Sequence, residues 1–214
     1  MPKNRSTENT ERARKPKKAR KAFRVVIIIL SAAIAVLVIA ALVVFIRFNV
    51  LSNQATEENS SIYESVVSLM PGSETSTWDK RIGDMSTVDV GGTEYVGTIE
   101  IPALDVKTAV RTSWDGKGLT PGIWSGDPQD GNLIIGGPNL RGVFNGIETV
   151  SDNQIVTFTD MDHRVYTYFV VSAETCDASD TQTLESGDEN WDLTLFCPSV
   201  SGLQLEVLRL ASVE

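Results

Sequence analysis

One uninterrupted apolar run dominates the hydropathy pattern. Val25 to Ile46 is 22 residues long and apolar except for Ser31. At about 1.5 Å per residue a helix of that length spans a hydrocarbon core of about 30 Å. The run therefore predicts a membrane-crossing helix, bracketed by Arg24 and Arg47. A cleaved leader would have a shorter apolar stretch followed by a small-residue cleavage site, and Arg47-Phe48-Asn49-Val50 is not one. After the run, Leu51 to Gly92 is rich in Ser, Thr, Glu and Asn. Within it, only Ile62, Val66, Val67 and Met70 recur at helical spacing, and Pro71-Gly72 ends that piece. The expectation is a linker with one short amphipathic helix packing on a domain edge.

From Tyr95 the pattern changes to short β-like runs separated by turn residues. The predicted strands are Val96–Ile101, Val106–Arg111, Gly122–Ser125, Leu133–Gly136, Gln154–Phe158, Val165–Ser172, Leu193–Cys197 and Leu203–Leu210. Asp160-Met161-Asp162 reads as the turn of a hairpin, and a helical turn is expected near Val143–Ile147. Such spacing predicts an all-β antiparallel barrel or sandwich. The chain divides into a basic tail (1–24), a transmembrane helix (25–46), a linker with a short helix (47–94) and a β domain (95–214).

Charge sharpens that division. The whole chain carries −9, yet residues 1–24 hold ten Lys/Arg against two Glu, and residues 48–214 hold eight Lys/Arg against 26 Asp/Glu. A basic N-terminal flank predicts a cytoplasmic N-terminus, with the acidic domain outside the cell. The basic tail then sets topology and touches anionic lipid. The acidic remainder would repel phosphate, which argues against a nucleic-acid partner. Two cysteines, Cys176 and Cys197, exclude a disulfide-dense scaffold and a four-cysteine zinc site. No phosphate-binding glycine loop is present, so no cofactor or metal is expected.

Residues 95–211 resemble the sortase family in motif order. Gly97-Thr98-Ile99-Glu100-Ile101-Pro102-Ala103-Leu104 is similar to that family's opening strand. Asn132-Leu133-Ile134-Ile135-Gly136-Gly137-Pro138-Asn139 stands where the family carries its histidine segment, and Phe144 and Ile147 follow where it has F-x-x-L. Leu193-Thr194-Leu195-Phe196-Cys197 is similar to the family's cysteine signature. The resemblance implies an eight-stranded sortase-like β-barrel with short helices behind one N-terminal transmembrane helix. It also implies a cysteine transpeptidase acting on an LPxTG-like sorting signal, with a histidine as acid/base and an arginine at the oxyanion.

Carried over residue by residue, that machinery is incomplete. Cys197 is the candidate nucleophile. Pro138 occupies the histidine position, Gln204 falls nearest the arginine position, and Phe196 replaces the threonine before the cysteine. Phe196, Asn139 and Trp124 are the expected groove residues. Proline can neither take the thiol proton nor protonate a leaving amine. Lost acid/base help is worth about 10²–10⁴ in rate and a lost oxyanion donor roughly 10²–10³. His163, the only histidine, belongs to the Asp160–Asp162 turn, and Arg209 lies at an odd offset from Gln204, on the opposite strand face. Cys197 itself reads equally as inert packing, and pairing with Cys176 is a minor alternative. Trp114, Trp124 and Trp191 are expected to fill the core or cover an edge.

Two functions follow. One is a membrane-anchored, catalytically impaired module at a Gram-positive-type cell surface, binding a sorting-signal-like peptide or a surface or pilus protein. The other is an atypical active transpeptidase or hydrolase that anchors surface proteins to the cell wall or pili.

Overall fold

The computed structural model describes residues 17–70, 84–185 and 191–213. Residues 1–16 of the basic tail and residues 71–83 of the expected linker, with the Pro71-Gly72 stop, lie outside the described residues. The chain forms two compact units, Met1–Arg47 and Phe48–Glu214.

A single helix, α1, runs Lys17–Leu69. It is long and apolar enough to cross a membrane, and its most apolar stretch has no side chain buried within the protein. The helix continues through residues 48–61, where the sequence pattern predicted a linker. The reason is a packing stripe that hydropathy hides. Ser52, Ala55, Asn59 and Val66 are all fully or almost fully buried, with Ile62 partly buried between the last two. The spacing is that of one helix face, but Ser and Asn make part of it polar. The Asn59 amide donates to the carbonyls of Ala55 (2.7 Å) and Leu119 (2.8 Å), and its oxygen accepts from the Thr108 hydroxyl at 3.0 Å. Every polar group of that buried side chain is thereby engaged, as burial demands.

Among the described residues nine strands follow: β1 (Val88–Val90), β2 (Thr93–Ile101), β3 (Val106–Arg111), β4 (Gly122–Ser125), β5 (Leu133–Gly136), β6 (Ile155–Asp160), β7 (Val165–Asp177), β8 (Leu193–Pro198) and β9 (Gln204–Ser212). A four-residue helix, α2 (Gln182–Glu185), sits between β7 and β8. Strands β2 to β9 close into an eight-stranded barrel in the order β2-β3-β4-β5-β8-β9-β7-β6, with β6 returning to β2. The short β1 adds only a hairpin edge on β2. The β3–β4 and β5–β8 neighbours are parallel and the remaining pairs antiparallel. Closure at the β2–β6 seam requires Gly97, since a Cβ there would stand 2.1 Å from the Thr159 carbonyl oxygen.

The barrel interior is filled by Ile99, Ile101, Leu133, Ile135, Phe158, Leu193, Leu195, Leu208 and Leu210, among others. Inward and outward positions alternate along each strand. On β8 and β9 that alternation separates two environments. Cys197, Leu195 and Leu208 belong to the interior cluster, whereas Phe196, Leu205 and Val207 pack outside with Trp114, Ile134 and Leu184.

Candidate active site

The parallel pairing of β5 with β8 ends at Gly136 opposite Phe196, and the Gly137 amide then donates to the Phe196 carbonyl at 3.0 Å. Pro138 therefore leaves the barrel beside the end of β8 that carries Cys197. The next turn is pinned by the Pro138 carbonyl, which accepts from the amides of Leu140 (2.9 Å) and Phe144 (3.4 Å). Phe144 is fully buried and its own carbonyl points at the sulfur. Cys197, with no solvent exposure, has two acceptors in reach of its S–H: the Phe144 carbonyl at 3.4 Å and Glu206 Oε2 at 3.5 Å.

Glu206 is the residue that faces the sulfur from the last strand. The sequence reading put Gln204 nearest the family's arginine position. In the structure Cys197 pairs with Glu206 across β8–β9, and Gln204 lies two positions earlier, exposed, at the mouth of the hairpin turn. Gln204 contributes its backbone to that turn, its carbonyl accepting from the Ser199 amide at 2.8 Å. Residues 204 and 206 share a strand face, so periodicity alone does not choose between them.

Asn139 joins the group. Its amide nitrogen donates to Glu206 Oε2 (3.1 Å) and to the Pro198 carbonyl (3.0 Å), and its oxygen accepts from Asn145 at 2.7 Å. Partial burial raises the Glu206 pKa above the usual carboxylate range; Glu148 adds repulsion, while the bonds from Cys197 and Asn139 oppose the rise. The thiol pKa moves in the same direction. Burial is the largest cause of its rise, followed by the charge of Glu206, their hydrogen bond and the charge of Glu148. An unperturbed thiol, with a pKa of about 8.5, is already only a few per cent thiolate at pH 7. Here every neighbour favours the neutral thiol.

The other expected residues are distributed differently. Phe196 is buried on the outer face of β8, edge-to-face with the half-exposed Trp124 at 5.7 Å. It points away from the sulfur, as adjacent strand positions must. His163 occupies the β6–β7 turn with a left-handed backbone. Thr175 of β7 pairs with Glu206, so the turn lies ten β7 residues beyond that level, roughly 30 Å along the strand. Arg209 is buried on the outer face. It bonds Glu174 at 2.7 Å, Thr194 Oγ1 at 2.9 Å and the carbonyls of Thr183 (2.6 Å) and Leu184 (3.2 Å), with Trp191 stacked 4.7 Å above. That cation fastens α2 to the barrel and offers nothing to the sulfur. Cys176 and Cys197 are both free. Cys176 packs with the outer cluster and Cys197 with the interior one, so the strand wall lies between them.

Sequence reasoning missed Glu206, Glu148 and Asn145. A carboxylate at an even offset from Gln204 is the one sequence signal for Glu206. Among the described residues, no cluster of His, Cys, Asp or Glu is arranged to hold a metal ion.

No protein-family model and no curated protein sequence matches this chain. Solved structures do resemble it. A Clostridium perfringens sortase D5 transpeptidase aligns at 15% identity over 77% of this chain and 99% of its own, with a TM-score of 0.50. Sortase A of Corynebacterium diphtheriae aligns at 20% identity over 76% of this chain and 84% of its own, TM-score 0.49. Sortase A of Listeria monocytogenes aligns at 19% identity over 56% and 88%, TM-score 0.48. At such identities the likeness is one of fold, and the first of the three carries it: the domain is a closed eight-stranded β-barrel of the sortase type.

Proposed function

We propose that this chain is a membrane-anchored sortase-like protein that binds a sorting-signal-like peptide or a surface or pilus protein without performing acyl transfer. Residues 25–46 would cross the bilayer with the N-terminus in the cytoplasm and the barrel outside a Gram-positive-type cell. The observation that carries the reading is the surroundings of Cys197: a sulfur with no exposure, faced by a carboxylate rather than by an imidazole or guanidinium.

The physical reason is the direction of the proton. Attack on a carbonyl carbon needs a thiolate. Glu206 destabilises that anion by charge, and the Phe144 carbonyl accepts only from the protonated form. Pro138 supplies no titratable group for the departing amine. What stays usable for an extended peptide is the aromatic surface around Trp124.

A second reading, an atypical active transpeptidase, rests on one contact. A protonated Glu206 at 3.5 Å from the sulfur is placed to deliver a proton to a leaving group. The full-length chain in detergent micelles, incubated with LPxTG-type peptides and examined by intact mass, separates the two. The non-catalytic reading expects saturable peptide binding that survives Cys197→Ala, with no acyl adduct on Cys197. An adduct or cleaved peptide that disappears in Cys197→Ala would replace it by the second.

A further inference from the structure

The most exposed large apolar side chains among the described residues are Val200 and Leu203, at 81% and 74%. Both belong to the turn between β8 and β9. That turn, Pro198-Ser199-Val200-Ser201-Gly202-Leu203-Gln204, carries no charge, although residues 48–214 hold 26 Asp/Glu. A single exposed apolar residue is ordinary on a protein surface. Two at the tip of one uncharged turn, more exposed than any side chain of the apolar run itself, form a contact surface.

The turn also bonds its own polar groups. The Ser199 amide donates to the Gln204 carbonyl at 2.8 Å and the Gly202 amide to the Ser199 carbonyl at 2.9 Å. The Leu203 amide donates to Ser201 Oγ (3.3 Å) and the Gln204 amide to Ser199 Oγ (3.4 Å). The two serine hydroxyls bond each other at 3.0 Å, and the Leu203 carbonyl accepts from the Ala178 amide at 3.1 Å. Backbone groups that enter a poorly hydrated environment need partners within the protein, and these have them.

Chain connectivity decides which end of the barrel meets a bilayer. Asn49 follows Ile46, the last residue of the apolar run, by three positions, which is within about 10 Å even for an extended chain. Arg141 bonds the Asn49 side chain and stands over the Phe48 ring, 5.8 Å from its centroid. Two residues before Arg141, the Asn139 amide donates at 3.0 Å to the Pro198 carbonyl, where the β8–β9 turn begins. The helix then runs to the other end of the barrel. Val66, 17 positions after Asn49 and roughly 25 Å further along the axis, packs with Tyr95 at the start of β2 and Met161 in the β6–β7 turn. The β8–β9 turn therefore lies at the end tethered to the apolar run, and the β6–β7 turn at the end away from it.

We infer that the β8–β9 turn is a lipid-contact site, with Val200 and Leu203 entering the headgroup–acyl boundary of the same bilayer that residues 25–46 cross. The inference rests on the membrane-anchored reading above and adds a second point of attachment to it. The loops at this end, 136–147 and 198–204, carry Arg141 and no Asp or Glu, so they bring no repulsion of their own to a phosphate surface. The flanking acids Asp177, which pairs with Gln204, and Glu206, which pairs with Cys197, limit entry to the tip of the turn. Contact is then interfacial and driven by apolar burial. It holds the Cys197 end of the barrel against the membrane.

The test is electron paramagnetic resonance of the full-length chain in phosphatidylcholine vesicles, with Cys176→Ser and Cys197→Ala as background. A nitroxide is attached singly through Val200→Cys, through Val165→Cys at the opposite end of the barrel, or through Leu37→Cys in the apolar run. Collisions with dissolved oxygen, against those with a water-soluble nickel chelate, read the depth of each label. The label at 200 is expected roughly 5–10 Å inside the phosphate level, that at 165 in water and that at 37 in the hydrocarbon core. Leu203→Asp should move the label at 200 into water. If the cysteine-free background does not fold, Leu203→Trp in the otherwise native chain decides: brominated phosphatidylcholine should quench the added emission. A label at 200 as open to the chelate as that at 165, with the label at 37 in lipid, would overturn this inference alone and leave the turn to a protein partner. An unmoved label at 200 in Leu203→Asp, or unquenched Leu203→Trp emission, would overturn it as well. Chelate access at 37 would overturn the anchored reading and this inference together.

Discussion

The two faces of the β8–β9 hairpin make opposite use of the same kinds of residue. The inner face holds a thiol and an acid: Cys197 meets Glu206, whose pKa is raised further by Glu148 of the 147–149 turn. The outer face holds the cation: Arg209 is fully bonded to Glu174, Thr194 and two carbonyls of the α2 segment, and is stacked under Trp191. Arg209 lies three positions after Glu206, an odd offset, so the pleat turns them to opposite sides. A cation on β9 is not enough to activate a cysteine on β8. It has to share the cysteine's face, and here the guanidinium is committed to structure.

The largest effect is expected on the outer face. Arg209→Met should destabilise the domain by about 3 kcal/mol, because it leaves the Thr183 and Leu184 carbonyls without their donor. Denaturant unfolding measures this, and a loss below about 1 kcal/mol would show that the cation is dispensable. On the inner face, Cys197 should be alkylated on the order of 10²-fold more slowly in the native chain than in the denatured one. Cys176, half-buried on the outer face, should react faster than Cys197 under native conditions. Rapid native labelling of Cys197 near pH 7 would show an activated thiol and erase the contrast between the faces.

Glu206→Gln comes next. The folded-state pKa of Glu206 lies above its unfolded value, so the native state binds the extra proton in that window and loses stability as pH rises through it. The substitution should therefore raise stability at pH 7–8 and change it by almost nothing at pH 4. Thermal unfolding across that range reads the difference, and an equal effect at both ends would rule out titration as its origin. The smallest effect is expected for Trp124→Ala. It removes an edge-to-face contact with Phe196 at a half-exposed site, for about 1 kcal/mol. It should leave the alkylation rate of Cys197 unchanged, since Phe196 faces away from the sulfur. An altered rate would mean that the two faces are coupled.

The strand pattern was legible because each strand alternates locally. The eight runs read from turn residues and apolar spacing correspond to β2–β9, mostly within one to three residues at the ends, with β7 reaching five residues further, to Asp177. The short β1 gave no such signal: it contributes only Val88–Val90. The helical face of residues 52–59 escaped for a related reason, being built from Ser52, Ala55 and Asn59, whose burial is compensated by hydrogen bonds rather than by hydrophobicity. At the candidate site, Cys197, Pro138 and Asn139 were locatable from their motifs. Glu206 was not, because its position depends on how many residues the Ser199–Leu203 turn consumes before pairing resumes.

The sequence by itself determined the long apolar helix, the reversal of charge on its two sides, the succession of strands and the proline at position 138, which has no titratable group. All of these depend on residues close to one another along the chain. Only the tertiary structure decided that a carboxylate faces the thiol, that Arg209 is spent on α2 and that the Tyr168 hydroxyl is buried without a hydrogen-bond partner among the described residues. Those facts arise where distant strands meet. Cross-strand register and barrel closure choose a side chain's neighbours there, and a one-dimensional pattern carries no record of which strands will be adjacent.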